Sequence, residues 1–283
     1  GQWEFLKGIM TMFNLVTMVD DTNKDNILIE PYSDVFIKNT NSGNKTNLSL
    51  AARSIEHDWT DKIDVSQIEL KPLTDLNEIT TFKFVEDDDD YVANVVKMAN
   101  SGHLYGSLDF LASTSTNGLP TVLSGTKEIS AEPFATSVVK PIMAQFQGLI
   151  TPSVYAMDES GICEGFENSP RIYYNNGRVD SGITYYMPKQ NGLSSENQEY
   201  YLQFSHLSSV PAVSAGTMDF VFDSLNLMPG VGVPPVSNLY TEYWQPYFNE
   251  LYNPDTRIMT LKVNLSPADI NTFKFYDTVF IKN

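Results

Sequence analysis

YTEYWQPYFNELYNPDTRIMTLKVNLSPADINTFKFYDTVFIKN, residues 240–283, reads as an aromatic helix followed by two strand-like runs. Tyr240, Tyr243, Trp244, Tyr247, Phe248 and Leu251 recur at helical spacing and mark one wide aromatic face. Pro246 falls inside that run, so it either kinks the helix or moves its start. Asn253-Pro254-Asp255 is a turn. Over residues 258–265 the apolar residues Met259, Leu261, Val263 and Leu265 alternate with a period of two, the pattern of a strand. Ser266 is placed to cap a short helix with Pro267 in its first turn. The closing run FKFYDTVFIKN is rich in aromatic and β-branched residues, which favour a pleated, half-buried surface. No turn follows it, and Gly1 opens directly on an amphipathic run. The expectation is an interior piece of a longer polypeptide, or its only ordered part.

Outward from this block the same reasoning covers the amino-terminal region. Trp3, Leu6, Ile9, Met10 and Phe13 predict a helix, which Gly8 weakens. Residues 14–19 and 27–30 predict two strands joined by a polar turn, hence a hairpin. Residues 40–47 form a polar loop, and residues 58–64 a compact turn anchored by Trp59. Residues 68–73 and 79–85 read as extended. The acidic run 86–90 leads into residues 91–97, which fit helix or strand equally. Residues 102–125 are small, polar and irregular. Asn176-Gly177 predicts a hairpin turn within residues 172–179, because both residue types tolerate positive φ. Residues 228–235, rich in Pro and Gly, read as a linker. The octapeptides YSDVFIKN (32–39) and YDTVFIKN (276–283) echo each other, as do the Phe-Lys-Phe triplets at 82–84 and 273–275.

The fold class that results is α+β, mainly β. Three modules are expected: a helix-hairpin module with a strand-rich extension over 1–100, an irregular strand-rich insertion over 101–235, and the aromatic helix with its strands over 236–283. A chain of 283 residues with 42% hydrophobic content can bury a sizeable core. A single cysteine, Cys163, leaves stability to packing. No apolar run reaches the ~20 residues that span a bilayer. The net charge of −17 opposes nucleic-acid phosphates and disfavours specific DNA or RNA binding.

The search for chemistry returns nothing. His57, His103 and His206 lie in no metal-ligand spacing and read as scattered surface or loop residues. Cys163 has no nucleophile context. Asp21, Asn23 and Asp25 open like a calcium loop, but Asn26 and Tyr32 stand where such a loop needs Gly and Glu, so a polar turn is expected. The five acids at 86–90 repel one another and are expected to be solvated. No catalytic residue, cofactor site or metal site is therefore expected.

Tyr243, Trp244, Tyr247, Leu251, Tyr252, Pro254, Arg257, Asn264-Leu265, Asp269-Ile270, Phe273, Phe275, Asp277, Phe280 and Ile281 form a pattern that resembles structural proteins of bacteriophage tails, specifically baseplate hub or tail-associated proteins. The amino-terminal order is similar too: FNLVTMVDD (13–21), NILIEPY (26–32), DWTDKID (58–64) and FKFVEDDDDY (82–91). The resemblance is weak between about 100 and 235. It implies small tail-tube-like β-barrel modules interrupted by an α+β insertion, in a homotrimeric ring between the tail tube protein and a spike, fibre or tape-measure protein. DNA would cross an acidic lumen without specific binding. The protein would be non-enzymatic, a virion component assembled in the host cytoplasm. Tyr243, Trp244, Tyr247, Phe248, Leu251, Tyr252, Phe273, Phe275 and Phe280 are the interface or barrel candidates. The alternatives are a receptor- or carbohydrate-binding tail module, for which Tyr185 and Tyr186 are candidates, and the non-catalytic part of a cell-wall-degrading tail protein.

Overall fold

A computed structural model describes residues 1–20, 23–37, 54–87, 89–112, 123–143, 146–154, 156–157, 160–164, 168–189, 192, 195–210, 212–223 and 235–282. The expected loop at 40–47 and nearly all of the 228–235 linker lie outside them. The chain is mixed α/β and mainly strands, and no sheet closes into a barrel among the described residues. Two compact units share the chain in alternation. The first comprises Gly1–Met12, Thr81–Phe110 and Glu128–Glu242; the second comprises Phe13–Thr80, Leu111–Lys127 and Tyr243–Asn283.

The first unit opens with helix α1 (Gln2–Met12), as the apolar spacing predicts. Gly8 has a specific reason to be there. A Cβ at this position would stand 2.5 Å from the Glu132 carbonyl oxygen and 2.7 Å from the Phe134 ring. The helix backbone therefore lies directly on that segment, with Phe5 meeting Phe134 edge-on at 5.0 Å. In an exposed helix Gly→Ala gains about 1 kcal/mol. Here the backbone oxygen cannot yield, so Gly8→Ala is expected to cost about 1–3 kcal/mol. A lower urea midpoint for the variant checks this; a raised midpoint would contradict the close approach.

Residues 91–99, ambiguous in sequence, are helix α2 (Tyr91–Ala99). The deciding residue is Asp90, whose carboxylate accepts from the Val92 and Ala93 amides and caps the first turn. Phe82, Phe84 and Phe222 pack as a buried trio, Phe222 lying 5.4 Å from Phe82 and 5.1 Å from Phe84. A second apolar cluster joins Val139, Ile150, Leu207, Val210 and Val213. Val139 belongs to β1 (Val138–Met143) and Ile150 to its antiparallel partner β2 (Phe146–Ser153), and β2 lies against the long hairpin of β3 (Tyr174–Pro188) and β4 (Ser195–Ser205).

This hairpin corrects the turn expected at Asn176-Gly177. Those residues lie inside β3, where the register shifts between Asn175 and Gly177 and leaves Asn176 as the bulged residue. The chain reverses between Pro188 and Ser195 instead. A residue pair that tolerates positive φ serves a bulge as well as a turn.

In the second unit, β5 (Leu15–Val19) and β6 (Ile27–Pro31) form the expected hairpin, with Leu15 opposite Pro31 and Val19 opposite Ile27. Tyr32–Phe36 follows as helix α3. Strand β7 (Glu56–Asp58) leads into the Trp59-anchored 3-10 turn Thr60–Lys62, and Trp59 is buried as expected. The carboxy-terminal block begins with a π-turn at Tyr240–Trp244, its last two residues in this unit, and α4 (Gln245–Leu251) follows with Pro246 in its first turn. Proline has moved the start of the helix rather than kinked it, since its missing N–H costs nothing there. Strand β8 (Arg257–Thr260) pairs antiparallel with β9 (Glu69–Pro72). It is shorter than the expected run to residue 265, although burial still alternates from Leu261 to Leu265.

Ser266 caps α5 (Pro267–Thr272) in a complete capping box with Asp269. A hydrogen bond from Lys62 Nζ, 2.6 Å away, and those from Ser266 hold the Asp269 carboxyl down to about 2. The last strand, β10 (Thr278–Phe280), pairs in parallel with β7. The octapeptide echo is thus not structural: residues 32–36 are helical, whereas the matching 278–280 are extended. Likewise Phe82 and Phe84 are buried while Phe275 is 88% exposed.

Candidate functional site

Three polar constellations emerge that the sequence reading did not find. Arg171 is the hub of the first. Its Nη2 meets Asp87 at 2.5 Å and Asp90 at 3.4 Å, its Nη1 donates to the Ser169 carbonyl, and its Nε donates to the Thr136 carbonyl. Ser169 Oγ donates to the other oxygen of Asp87. The acidic run is therefore not solvated throughout, because Asp87 and Asp90 are buried around this guanidinium. Burial pushes the Asp90 carboxyl up, with the helix amides and Arg171 opposing it. Beside the cluster, Glu86, Asp87, Asn94, Tyr105 and Thr136 line a small cavity with room for about one water molecule.

The second is a buried relay. Tyr105 Oη lies 2.8 Å from His206 Nε2, and His206 Nδ1 lies 2.6 Å from Asp219 Oδ1. The carboxylate assigns the proton to Nδ1, leaving Nε2 to accept from the phenol. Burial, with the Asp219 charge adding to it, raises the Tyr105 phenol well above its usual range, so it stays a donor. All three side chains are less than a tenth exposed. The relay ties the residues 104–107 turn to the paired segments 206–208 and 218–220, and it presents no reactive atom to solvent.

The third lies in the second unit, where His57 Nε2 meets Asp277 at 2.8 Å and Asp277 also accepts from the Ile55 and Lys274 amides. Burial raises this carboxyl, but the three hydrogen bonds outweigh it and hold it below the usual range. The histidines thus depart from the expected scatter: His206 is core and His57 clasps a turn. Among the described residues no group of His, Cys, Asp or Glu is arranged to hold a metal.

The aromatic residues singled out in sequence divide by environment. Trp244, Phe248 and Tyr252 are buried, and the Tyr252 hydroxyl donates to the Asn77 carbonyl. Tyr243 meets Phe13 edge-on at 5.1 Å, and Tyr247 meets Tyr32 at 4.7 Å. Leu251 is half-buried, and Phe273 packs on Trp59 at 5.1 Å. Phe275 and Phe280 face outward. The helix face therefore contributes Trp244 and Phe248 to the interior of the second unit.

No family model, curated protein or solved structure matches the chain. What the geometry offers is surface. All eight residues of the β8–β9 ribbon are exposed, Leu70 and Met259 standing opposite each other. In the first unit the β3–β4 hairpin exposes Tyr186, Met187, Tyr200, Leu202 and Phe204. The sequence carried the alternation of these strands, but nothing in it said which face lacks a cover. No helix among the described residues is long and apolar enough to cross a membrane.

Proposed function

We propose that the protein is a non-enzymatic structural subunit of a bacteriophage tail, a baseplate hub-like component joining the tail tube to spike or fibre proteins. The observation that carries the reading is the uncovered β8–β9 ribbon. A two-stranded ribbon is marginal on its own in water, and Leu70, Ile258 and Met259 are each at least half exposed on this one. Exposed apolar strands of this kind mark protein–protein contact. In the tail reading, tail-tube-like barrels would be completed by neighbouring subunits that cover these strands. The likeness of residues 240–283 to tail proteins supplies the identity of the assembly, and the net charge of −17 suits a surface that DNA passes without adhering.

The test is a reconstruction of virions whose proteome contains the chain. Density for it in a ring at the end of the tail tube, with the β8–β9 ribbon against a neighbour, is the expected result. Detection of the chain in infected cells but not in purified particles would overturn the reading.

A further inference from the structure

Asn176 and Gly177, at the bulge of β3, are also a self-reactive pair. Glycine leaves its nitrogen unshielded and gives the chain the most freedom, so in an open chain the Gly177 nitrogen reaches the Asn176 side chain. The reaction needs no outside reagent but water. The Gly177 nitrogen gives up its proton and attacks Asn176 Cγ; the N–Cγ bond forms, the Cγ–Nδ2 bond breaks and ammonia leaves. Water then opens the resulting succinimide at either carbonyl, to aspartate or to isoaspartate.

In the fold both reacting groups are tied down by separate partners. The Gly177 amide donates to Asn175 Oδ1 at 3.0 Å, and Asn176 Nδ2 donates to the Leu207 carbonyl at 3.2 Å. Ring closure would turn Cγ onto the Gly177 nitrogen, breaking both bonds and pulling the bulge from its place opposite Phe204 and Gln203. We propose that Asn176 is a deamidation site that the closed β3–β4 hairpin holds shut, and that the reacted residue then holds the hairpin open. The second half follows from the surroundings. Asn176 Oδ1 is buried, with no donor to it among the described residues. A carboxylate here would be desolvated and unpaired, and its second oxygen would face the Leu207 carbonyl that Nδ2 now serves. Leu207 belongs to the apolar cluster with Val139 and Ile150, which supplies no counter-charge. Isoaspartate also adds a methylene to the β3 backbone, and the register on either side of the bulge has no place for it. Opening of the hairpin is thus recorded irreversibly in covalent structure. The inference uses the hairpin alone and stands apart from the tail reading.

The full chain is incubated at mildly alkaline pH, folded or in urea, and Asn176 conversion is followed by peptide mapping with mass spectrometry. Asn117 and Asn191, which also precede glycine, calibrate the rate in urea. Asn176 is expected to react at least about tenfold more slowly in the folded chain than in urea, because reaction tracks the open population. Asn175→Ala removes the acceptor of the Gly177 amide and should speed the folded reaction at least about twofold, with no change in urea. Asn176→Asp carries the product's charge without its altered backbone. It should raise amide hydrogen exchange across β3 and β4 at least about tenfold. Circular dichroism matching the parent chain confirms that each variant is folded. Equal rates in the folded and unfolded chain, no acceleration in N175A, or parent-like exchange in N176D overturns the inference.

Discussion

Arg171→Ala is expected to lower the stability of the first unit by about 3–5 kcal/mol, the usual cost of removing one member of a buried ion cluster. The guanidinium is 7% exposed and serves two carboxylates and two backbone carbonyls at once. Alanine would leave Asp87 and Asp90 buried without a cation and uncap two acceptors. Lysine is not an adequate substitute, because a single ammonium cannot reach partners in three directions. The loss should be pH-dependent, with a sign fixed by Asp90. Its carboxyl is already raised by burial, so the fold favours its protonated form; that contribution is present at low pH and disappears as pH rises through the raised value. Removing Arg171 enlarges the shift. The gap between variant and parent should thus be widest near neutrality and narrow as the solution is acidified toward the carboxylate range. Urea midpoints at several pH values measure it. A variant within about 0.5 kcal/mol of the parent at pH 7 would remove the cluster from any account of this unit's stability.

Phe222→Ala should lose a comparable amount, about 3–5 kcal/mol, for a different reason. Its ring has no exposure and closes the trio with Phe82 and Phe84. Truncation removes the transfer energy of the ring and leaves a hole. The backbone around it is pinned, since the Phe222 amide donates to the Gly106 carbonyl and the Leu239 amide to that of Val221. A pinned site collapses poorly, which puts the cost toward the upper end. Melting would fall by about 10 °C for a unit of this size. Phe222→Leu keeps most of the buried volume and should fall clearly less; equal losses for the two would mean that the ring is not what the trio needs.

What could be read from the sequence was local. α1, the β5–β6 hairpin, the shifted start of α4 and the Ser266 cap each depend on residues within a few positions of one another. The signals for them are physical requirements of the backbone itself. The polar clusters were illegible for the opposite reason. Arg171 lies more than eighty residues from its carboxylates, and Tyr105 lies 101 from His206. The twin octapeptides show the same limit most clearly. Six of eight residues coincide, yet one copy begins as a helix and the other holds a strand at 278–280, because the surrounding chain outweighs local propensity. Of the candidate site, the aromatic spacing at 240–251 was legible, and with it core packing for single side chains, but which partners the face packs against was not. Periodicity identifies a face without saying what lies against it.

The close seating of Gly8 against Glu132 and Phe134 also sets an order of events during synthesis. α1 leaves the ribosome before the segment it lies on. Its seat is made some 120 residues later, roughly 6–25 s at ordinary translation rates. For that interval the Met12 side of the helix is bare and open to chaperones or to other nascent chains. The six alternating segments prolong the wait, because neither unit is a contiguous stretch of chain. Slow translation would lengthen this exposure of α1 in proportion.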